Sequence, residues 1–216
     1  MARYESVAVS AGAASLDRGV RRAVEVLQAG GVLAHPTQTV YGIGGAARPE
    51  VDLRVATMKG RELQRSPLLR IASDAEDLRL AFPDLVWTPE AERLALRFWP
   101  GALTLVLEDG SPRGTAVRVE GHPVMRAVLM AWKAPIGSTS LNISGEPPAV
   151  TAGQAERCLD AMTGVDATVL LLDSGDLAGP PPSTLVSLLG PVPTVLREGV
   201  VSSAAIEGCL GGEIRT

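Results

Sequence analysis

Short apolar runs with strand character alternate along the chain with segments of helical periodicity, and this alternation is the strongest constraint on the fold. Apolar side chains recur at helical spacing over residues 16–27. Gly30-Gly31 then supplies the left-handed turn that ends many helices. Residues 32–34 follow as a short buried strand. Because this order recurs, the sequence predicts an α/β protein in which helices cover a sheet.

The other elements are predicted from apolar spacing, capping residues and turns. Helices are expected over residues 49–58, 90–98, 123–133 and 151–162, and strands over 68–72, 103–107, 115–119, 135–138, 167–172, 184–188 and 194–197. Thr88 and Thr151 are the expected N-caps of two helices. Asp109-Gly110 is typical of a hairpin turn, so some neighbouring strands should be antiparallel. We predict a single domain over residues 1–216, with a mixed parallel and antiparallel sheet and flanking helices.

The composition narrows the class of protein. The 216 residues are 46% hydrophobic and 20% charged, as in globular proteins. No apolar run reaches the roughly 18 residues that would span a membrane, and the N-terminus lacks a secretory signal, so we expect a soluble, cytoplasmic protein. A net charge of −4 and 3% aromatic residues argue against an extended nucleic-acid surface. The two cysteines predict neither a disulfide framework nor a zinc site.

Polar stretches are expected at strand ends or in loops, where an open α/β sheet usually binds its ligands. There are five of them: residues 36–42, Lys59-Gly60-Arg61, residues 118–123, residues 138–145, and Ser183-Thr184 together with Arg197. The chain lacks two common enzyme motifs, the P-loop of nucleotide-binding enzymes and the serine elbow of hydrolases. Gly42-Ile43-Gly44-Gly45 lacks the third glycine of a dinucleotide fingerprint.

Each polar stretch also fits an ordinary structural role. Lys59 and Arg61 flank a glycine and can meet a polyphosphate, but the same residues are typical of a helix end. The hydroxyls and amide of 138–145, which we place in a loop after a strand, can bind a ligand or form a polar turn. Arg118 can clamp a carboxylate or pair with Glu120 at the surface.

The two histidines, His35 and His122, each precede a proline. Neither has a base, nucleophile or metal ligand at recognisable spacing. Structural roles are therefore favoured for both.

Taken in order, the motifs resemble the YrdC-like threonylcarbamoyl-AMP synthases over residues 15–200, in the short form with the YrdC domain only. The motifs that carry the resemblance are Pro36-Thr37-Gln38-Thr39-Val40-Tyr41-Gly42, Lys59-Gly60-Arg61, Trp99-Pro100-Gly101, Arg118 to Pro123, Ser140 to Gly145, Ser183-Thr184 and Leu196-Arg197-Glu198-Gly199. The resemblance implies a twisted sheet with an open cleft. It also implies an enzyme, a nucleotidyltransferase that converts L-threonine, bicarbonate and ATP with Mg²⁺ into threonylcarbamoyl-AMP and pyrophosphate.

The resemblance also implies roles for individual residues. Lys59 and Arg61 would be catalytic, and the ATP-binding residues would be Lys59, Arg61, Ser66, Thr115, Asn142, Ser144 and Arg197. Threonine would be bound by Thr39, Arg118, Ser140 and Ser183. No protein metal site is implied, because Mg²⁺ is carried with ATP. The product is a precursor for threonylcarbamoyladenosine in tRNA, so tRNA or a downstream transferase is a candidate partner.

The chain departs from the family pattern in several places, including Pro181-Pro182, which stands before Ser183 without the usual glutamate. Gln38 stands where an acidic residue is common, Leu141 replaces a small alanine, and residues 62–69 lack the usual run with its histidine. Arg65, Ser66 and Arg70 are candidates to substitute for that histidine. Two alternatives therefore stay open: an RNA-binding module that uses the same cleft, and a diverged paralogue that binds a nucleotide but acts on another small substrate.

Overall fold

Ten strands form one continuous sheet in the computed structural model, which describes residues 4–9, 12–60, 67–143, 145–162, 167–177, 179 and 181–216. The strands are β1 (Tyr4–Ala8), β2 (Val32–His35), β3 (Gly42–Ala46), β4 (Leu69–Ala72), β5 (Leu103–Leu107), β6 (Thr115–Val119), β7 (Ile136–Ser140), β8 (Val169–Asp173), β9 (Thr184–Ser187) and β10 (Thr194–Arg197). The helices are α1 (Ala13–Gln28), α2 (Pro49–Met58), α3 (Ala75–Ala81), α4 (Pro89–Phe98), α5 (Pro123–Trp132), α6 (Ala152–Ala161) and α7 (Ser203–Leu210).

The strand order is β1-β8-β2-β3-β7-β4-β6-β5-β9-β10. The sheet contains parallel neighbours, such as β2 with β8 and β4 with β6, and antiparallel ones, such as β3 with β7. β5 and β6 pair antiparallel across the predicted turn. The mixed sheet with flanking helices is therefore confirmed. None of the helices in the described ranges is long and apolar enough to cross a membrane.

Local signals in the sequence fix where several helices begin and end. The hydroxyl of Thr88 accepts from the backbone N–H of Ala91 at the start of α4. Thr151 and Gln154 form a reciprocal capping box at the start of α6. Gly30 follows α1 with a φ of +71°, in the left-handed region where glycine is favoured. The predicted caps of these helices are thus confirmed.

The glycine-rich segment after the first polar stretch is a central strand, which the sequence pattern did not predict. A Cβ on Gly44 would lie 1.8 Å from the carbonyl oxygen of Gly137, so only glycine lets β3 approach β7 this closely. β7 also continues through Ser140, two residues beyond its predicted end. The expectation that Ser138 begins a loop was therefore wrong, because this segment pairs with β3.

Helices cover the two ends of the sheet differently, and this leaves an open surface. α1 and α5 pack on one face of β2 and β8, while α2 and α6 pack on the other face. Along β5 and β6, the residues Leu103, Leu105 and Val117 point into a core built with α3, α4 and α7. Their neighbours Thr104 and Arg118 point to the opposite face, since side chains alternate along a strand. That face is the floor of a cleft.

Candidate active site

A cavity of about 520 Å³ lies on this open face of the sheet. It is lined by Thr37, Thr39, Val40, Gly42, Pro67, Leu69, Thr104, Ala116, Arg118, Ser138, Thr139, Ser140, Pro148, Pro182, Ser183, Leu185 and Arg197. Strand register brings these distant segments together: Leu69 pairs with Ser138, and Thr104 pairs with Leu185. The first, third, fourth and fifth polar stretches of the sequence thus meet in one cleft.

The loop between β2 and β3 forms one wall of the cleft. Thr37 Oγ1 donates to the carbonyl oxygen of Val40 at 2.7 Å and accepts from the backbone N–H groups of Thr39 and Val40, both at 3.2 Å. The two threonine hydroxyls lie 3.1 Å apart. This local network fixes the turn and keeps Thr39, a predicted threonine ligand, at the cavity wall.

A buried ion pair joins that wall to the sheet. Arg118, 4% exposed, donates through Nη2 to the fully buried carboxylate of Glu120. The other oxygen of Glu120 accepts from the backbone N–H groups of Gln38 at 3.1 Å, and of Gly121 and His122 at 3.0 Å. Burial alone would raise the pKa of Glu120, but the charge of Arg118 and these N–H groups hold it below its ordinary value.

The alternative of a surface pair between Arg118 and Glu120 was therefore wrong, because both side chains are buried. Arg118 Nε is also buried, with no hydrogen-bond acceptor among the described residues. Arg118 also lines the cavity, so its guanidinium brings a positive charge to the cleft floor.

Arg197 stands at the far side of the same cleft. It donates to the carbonyl oxygen of Ser183 from Nη2 at 2.8 Å and from Nε at 3.2 Å, while Ser183 Oγ lies 3.0 Å from Thr104 Oγ1. Burial and the nearby charge of Arg118 lower the pKa of Arg197. Two guanidinium groups that repel each other across a cleft favour an anionic ligand between them.

Lys59 connects the end of α2 to the end of β7. Its Nζ donates to the carbonyl oxygen of Ser140 and, at 2.6 Å, to Asn142 Oδ1, which also accepts from Ser140 Oγ at 2.9 Å. Lys59 caps α2, and Gly60 follows with a φ of +61°. The helix-end interpretation thus describes the backbone here, and the ammonium group still reaches the cleft margin at Ser140.

His35 and Ser138 form a second buried group at the cleft floor. Ser138 Oγ lies 3.2 Å from His35 Nε2, and His35 Nδ1 lies 3.3 Å from the carbonyl oxygen of Pro36. Burial lowers the pKa of His35 to about 4, so the ring is neutral near neutral pH.

Some predicted site residues are not placed in the cleft. Thr115 points with Val117 toward the helix-covered face, and its hydroxyl donates to Asp109 at 2.6 Å, so its assignment to ATP stays a prediction without support from the geometry. Arg61, Ser66 and Ser144, with Arg65, lie outside the described residues.

The suggestion that Arg70 replaces the family histidine was wrong. Arg70 pairs with Asp52 of α2, with Nη1 2.9 Å from Oδ1, on the face of the sheet opposite Arg118. Strand alternation explains this, because Ile71 rather than Arg70 lies beside Arg118 in the register of β4 and β6.

The sequence placed Glu120 and Ser138 in two of the polar stretches but did not indicate that Glu120 anchors the loop or that Ser138 lies on the cleft floor, and Thr104 on the cleft floor was missed. The signal for Thr104 was available, since a polar residue alternates with the leucines of β5.

The fold and site together define an α/β protein with an open cleft that is lined by hydroxyl groups and two arginines. The model of the Sua5/YciO/YrdC family, described as "Telomere recombination", matches residues 25–199, and the chain belongs to this family.

Individual proteins that are similar to the chain agree with this family assignment. The chain is 36% identical over 173 residues to the threonylcarbamoyl-AMP synthase of Stenotrophomonas maltophilia, covering 74% of this chain and 89% of that protein. It is 32% identical to the Bacillus subtilis threonylcarbamoyl-AMP synthase, covering 90% of this chain but 57% of that protein. The crystal structure of P. abyssi Sua5 complexed with L-threonine matches with a TM-score of 0.82 and 28% identity, covering 98% of this chain and 62% of that one. The chain thus spans less than two thirds of these two longer relatives.

Proposed function

We propose that the protein is an L-threonylcarbamoyladenylate synthase. It would convert L-threonine, bicarbonate and ATP into threonylcarbamoyl-AMP and pyrophosphate, which makes it a nucleotidyltransferase. The observation that carries this proposal is the pair of arginines, Arg118 and Arg197, that line one cleft together with several hydroxyl groups. The names of the relatives and the threonine complex of P. abyssi Sua5 support the same substrate.

The chemistry needs no nucleophile from the protein. The threonine amine adds to carbon dioxide derived from bicarbonate and loses a proton, which gives a carbamate. A carbamate oxygen then attacks the α-phosphorus of ATP, and the bond from that phosphorus to the bridging oxygen breaks to release pyrophosphate. Such a reaction depends on positioning and on neutralising negative charge, and the cleft offers fixed cations and hydroxyls for both.

The threonine subsite would lie between the loop wall and the sheet. Arg118 would bind the carboxylate through the donors that Glu120 leaves available. Thr39, Ser140 and Ser183, which line the same cavity, would complete this subsite.

The nucleotide would lie toward Lys59, Asn142 and Arg197. Lys59 is a hydrogen-bond donor beside Ser140 and is already oriented by Asn142, so its charge is fixed before the substrate arrives. Arg197 would neutralise the phosphates from the other side. Mg²⁺ would enter as part of the ATP substrate, and tRNA or a transferase would receive the product.

The proposal is tested by measuring pyrophosphate release from ATP. We expect release that requires both threonine and bicarbonate. Release that is independent of threonine would favour a paralogue with another substrate. If no ATP is consumed but tRNA binds with a steep salt dependence, the cleft serves RNA binding instead.

A further inference from the structure

His35 and Ser138 form a built-in pair at the base of the cleft that has no role in the mechanism above. His35 is fully buried and Ser138 is 3% exposed, yet Ser138 lines the cavity. Gly42 leaves room for the pair, because a Cβ there would lie 2.7 Å from His35 Cε1 and 3.0 Å from Ser138 Oγ. Three strands therefore fix this contact: β2 carries the histidine, β3 the glycine and β7 the serine.

The position of one ring proton decides what Ser138 offers to a ligand. The carbonyl oxygen of Pro36 can only accept, so the neutral His35 ring carries its proton on Nδ1. Nε2 is then a bare lone pair, and the Ser138 hydroxyl must donate to it. With its only proton engaged, Ser138 Oγ faces the cleft as a hydrogen-bond acceptor.

We infer that His35 is a positioning residue that turns the Ser138 hydroxyl into an acceptor for the amino nitrogen of the amino-acid substrate. An amino acid carries one group that accepts, the carboxylate, and one that donates, the amine. Arg118 has only donors, and Ser138, once oriented by His35, has only lone pairs for the cleft. The two residues complement the two ends of the substrate. This inference rests on the proposed function, because it takes threonine as the substrate.

A double-mutant cycle tests the inference, read as the KM for threonine and the KM for ATP. Ser138→Ala should raise the threonine KM about tenfold, the worth of one hydrogen bond, and leave the ATP KM unchanged. His35→Phe should raise the threonine KM severalfold. The double variant should be no worse than Ser138→Ala, since His35 acts through Ser138. Ser6→Ala, on the exposed part of β1, is the matched control and should change neither KM.

The conservative variant His35→Gln separates orientation from packing. A glutamine amide can donate to Pro36 and accept from Ser138, so it should recover part of the threonine affinity that His35→Phe loses. Two results would overturn the inference: a wild-type threonine KM in His35→Phe, or effects of the two substitutions that add in the double variant.

The amine is distinguished from the threonine hydroxyl with 2-aminobutyrate, which lacks the hydroxyl, as a competitive inhibitor. Its inhibition constant should rise in Ser138→Ala by the same factor as the threonine KM. An unchanged constant would assign Ser138 to the hydroxyl and refute the role stated here.

The ring proton is measured independently of activity by NMR of protein with ¹⁵N-labelled histidine. We expect a protonated Nδ1 and an unprotonated Nε2 for His35, and the opposite tautomer would refute the orientation argument. Failure of the proposed function would appear instead in the wild-type protein, as pyrophosphate release that ignores threonine. That result would remove the substrate claim as well, whereas failure of the inference alone would leave wild-type threonine dependence intact.

Discussion

The stability of the protein should fall steeply in mild acid because of one buried imidazole. His35 has its pKa lowered by burial from 6.5 to about 4, so unfolding lets it bind a proton that the folded state excludes. The unfolded state binds more protons below about pH 6.5, so stability rises with pH in this window. The contribution of the neutral ring to the free energy of unfolding is therefore fully present above about pH 6.5. It is lost as the pH falls toward about 4.

The size of the effect follows from the difference between the two pKa values. At about 1.4 kcal/mol per pKa unit, the loss is about 3 kcal/mol in total, a large share of the stability of an ordinary domain. The charges that act on His35 are those of Glu120, which favours the protonated ring, and of Arg118 and His122, which oppose it. Glu120 has a lowered pKa of its own, so its contribution is lost only at more acid pH, below its unfolded value of 4.5.

Urea unfolding at a series of pH values from about 7.5 to 4.5 measures this dependence. His35→Phe should remove most of the pH dependence of the free energy of unfolding in this range. Whatever its stability at neutral pH, the variant should lose less of it in mild acid than the wild type does. His122→Gln is the matched control: the pKa of His122 is also lowered by burial, but the dependence that comes from His35 should persist. If the free energy of unfolding of His35→Phe depends on pH as steeply as that of the wild type, His35 is not the group responsible for the dependence.

Two further predictions concern the cleft and the sheet. Lys59→Ala should lower the rate of pyrophosphate release at least about 100-fold if its charge stabilises the departing phosphates, whereas Lys133→Ala, the control that removes the other lysine at the end of α5, should leave the rate near wild type. Near wild-type rates in both variants would show that Lys59 acts only as a helix cap. Gly44→Ala should destabilise the protein by about 3 kcal/mol or more in urea unfolding, because the new Cβ would lie 1.8 Å from the carbonyl oxygen of Gly137. Gly153→Ala in α6, where a Cβ meets nothing within 4 Å, should be neutral or stabilising, and equal costs at both glycines would contradict the packing argument.

Most of the fold could be predicted because most local signals agreed with the tertiary structure. The bounds of α2, β5, β6 and β10 match the predicted ranges residue for residue. β3 was missed because glycine has a low strand propensity. Glycine is required there because the backbone of β7, which is distant in sequence, lies too close for a side chain. β1 was missed as well; it is an edge strand with mostly exposed side chains, so it lacks a clear apolar pattern.

The candidate site could be predicted in part. The polar stretches that converge on the cleft were recognised, and the placements of Thr39, Arg118, Ser140, Ser183 and Arg197 in its wall agree with their predicted proximity. What the sequence could not reveal was burial. Glu120 and His35 act beneath the cleft, and only the packed sheet shows that Glu120 anchors the backbone at Gln38. The roles of all these residues toward ATP and threonine stay predictions until they are measured.

In the proposed reaction, this cleft joins threonine, bicarbonate and the adenylyl group of ATP. Its most direct test is mass spectrometry of the products formed from ATP, L-threonine and ¹³C-bicarbonate. We expect threonylcarbamoyl-AMP that carries the heavy carbon, formed together with pyrophosphate and only when threonine is present. AMP or pyrophosphate formed without the labelled adduct, or no consumption of ATP at all, would contradict it.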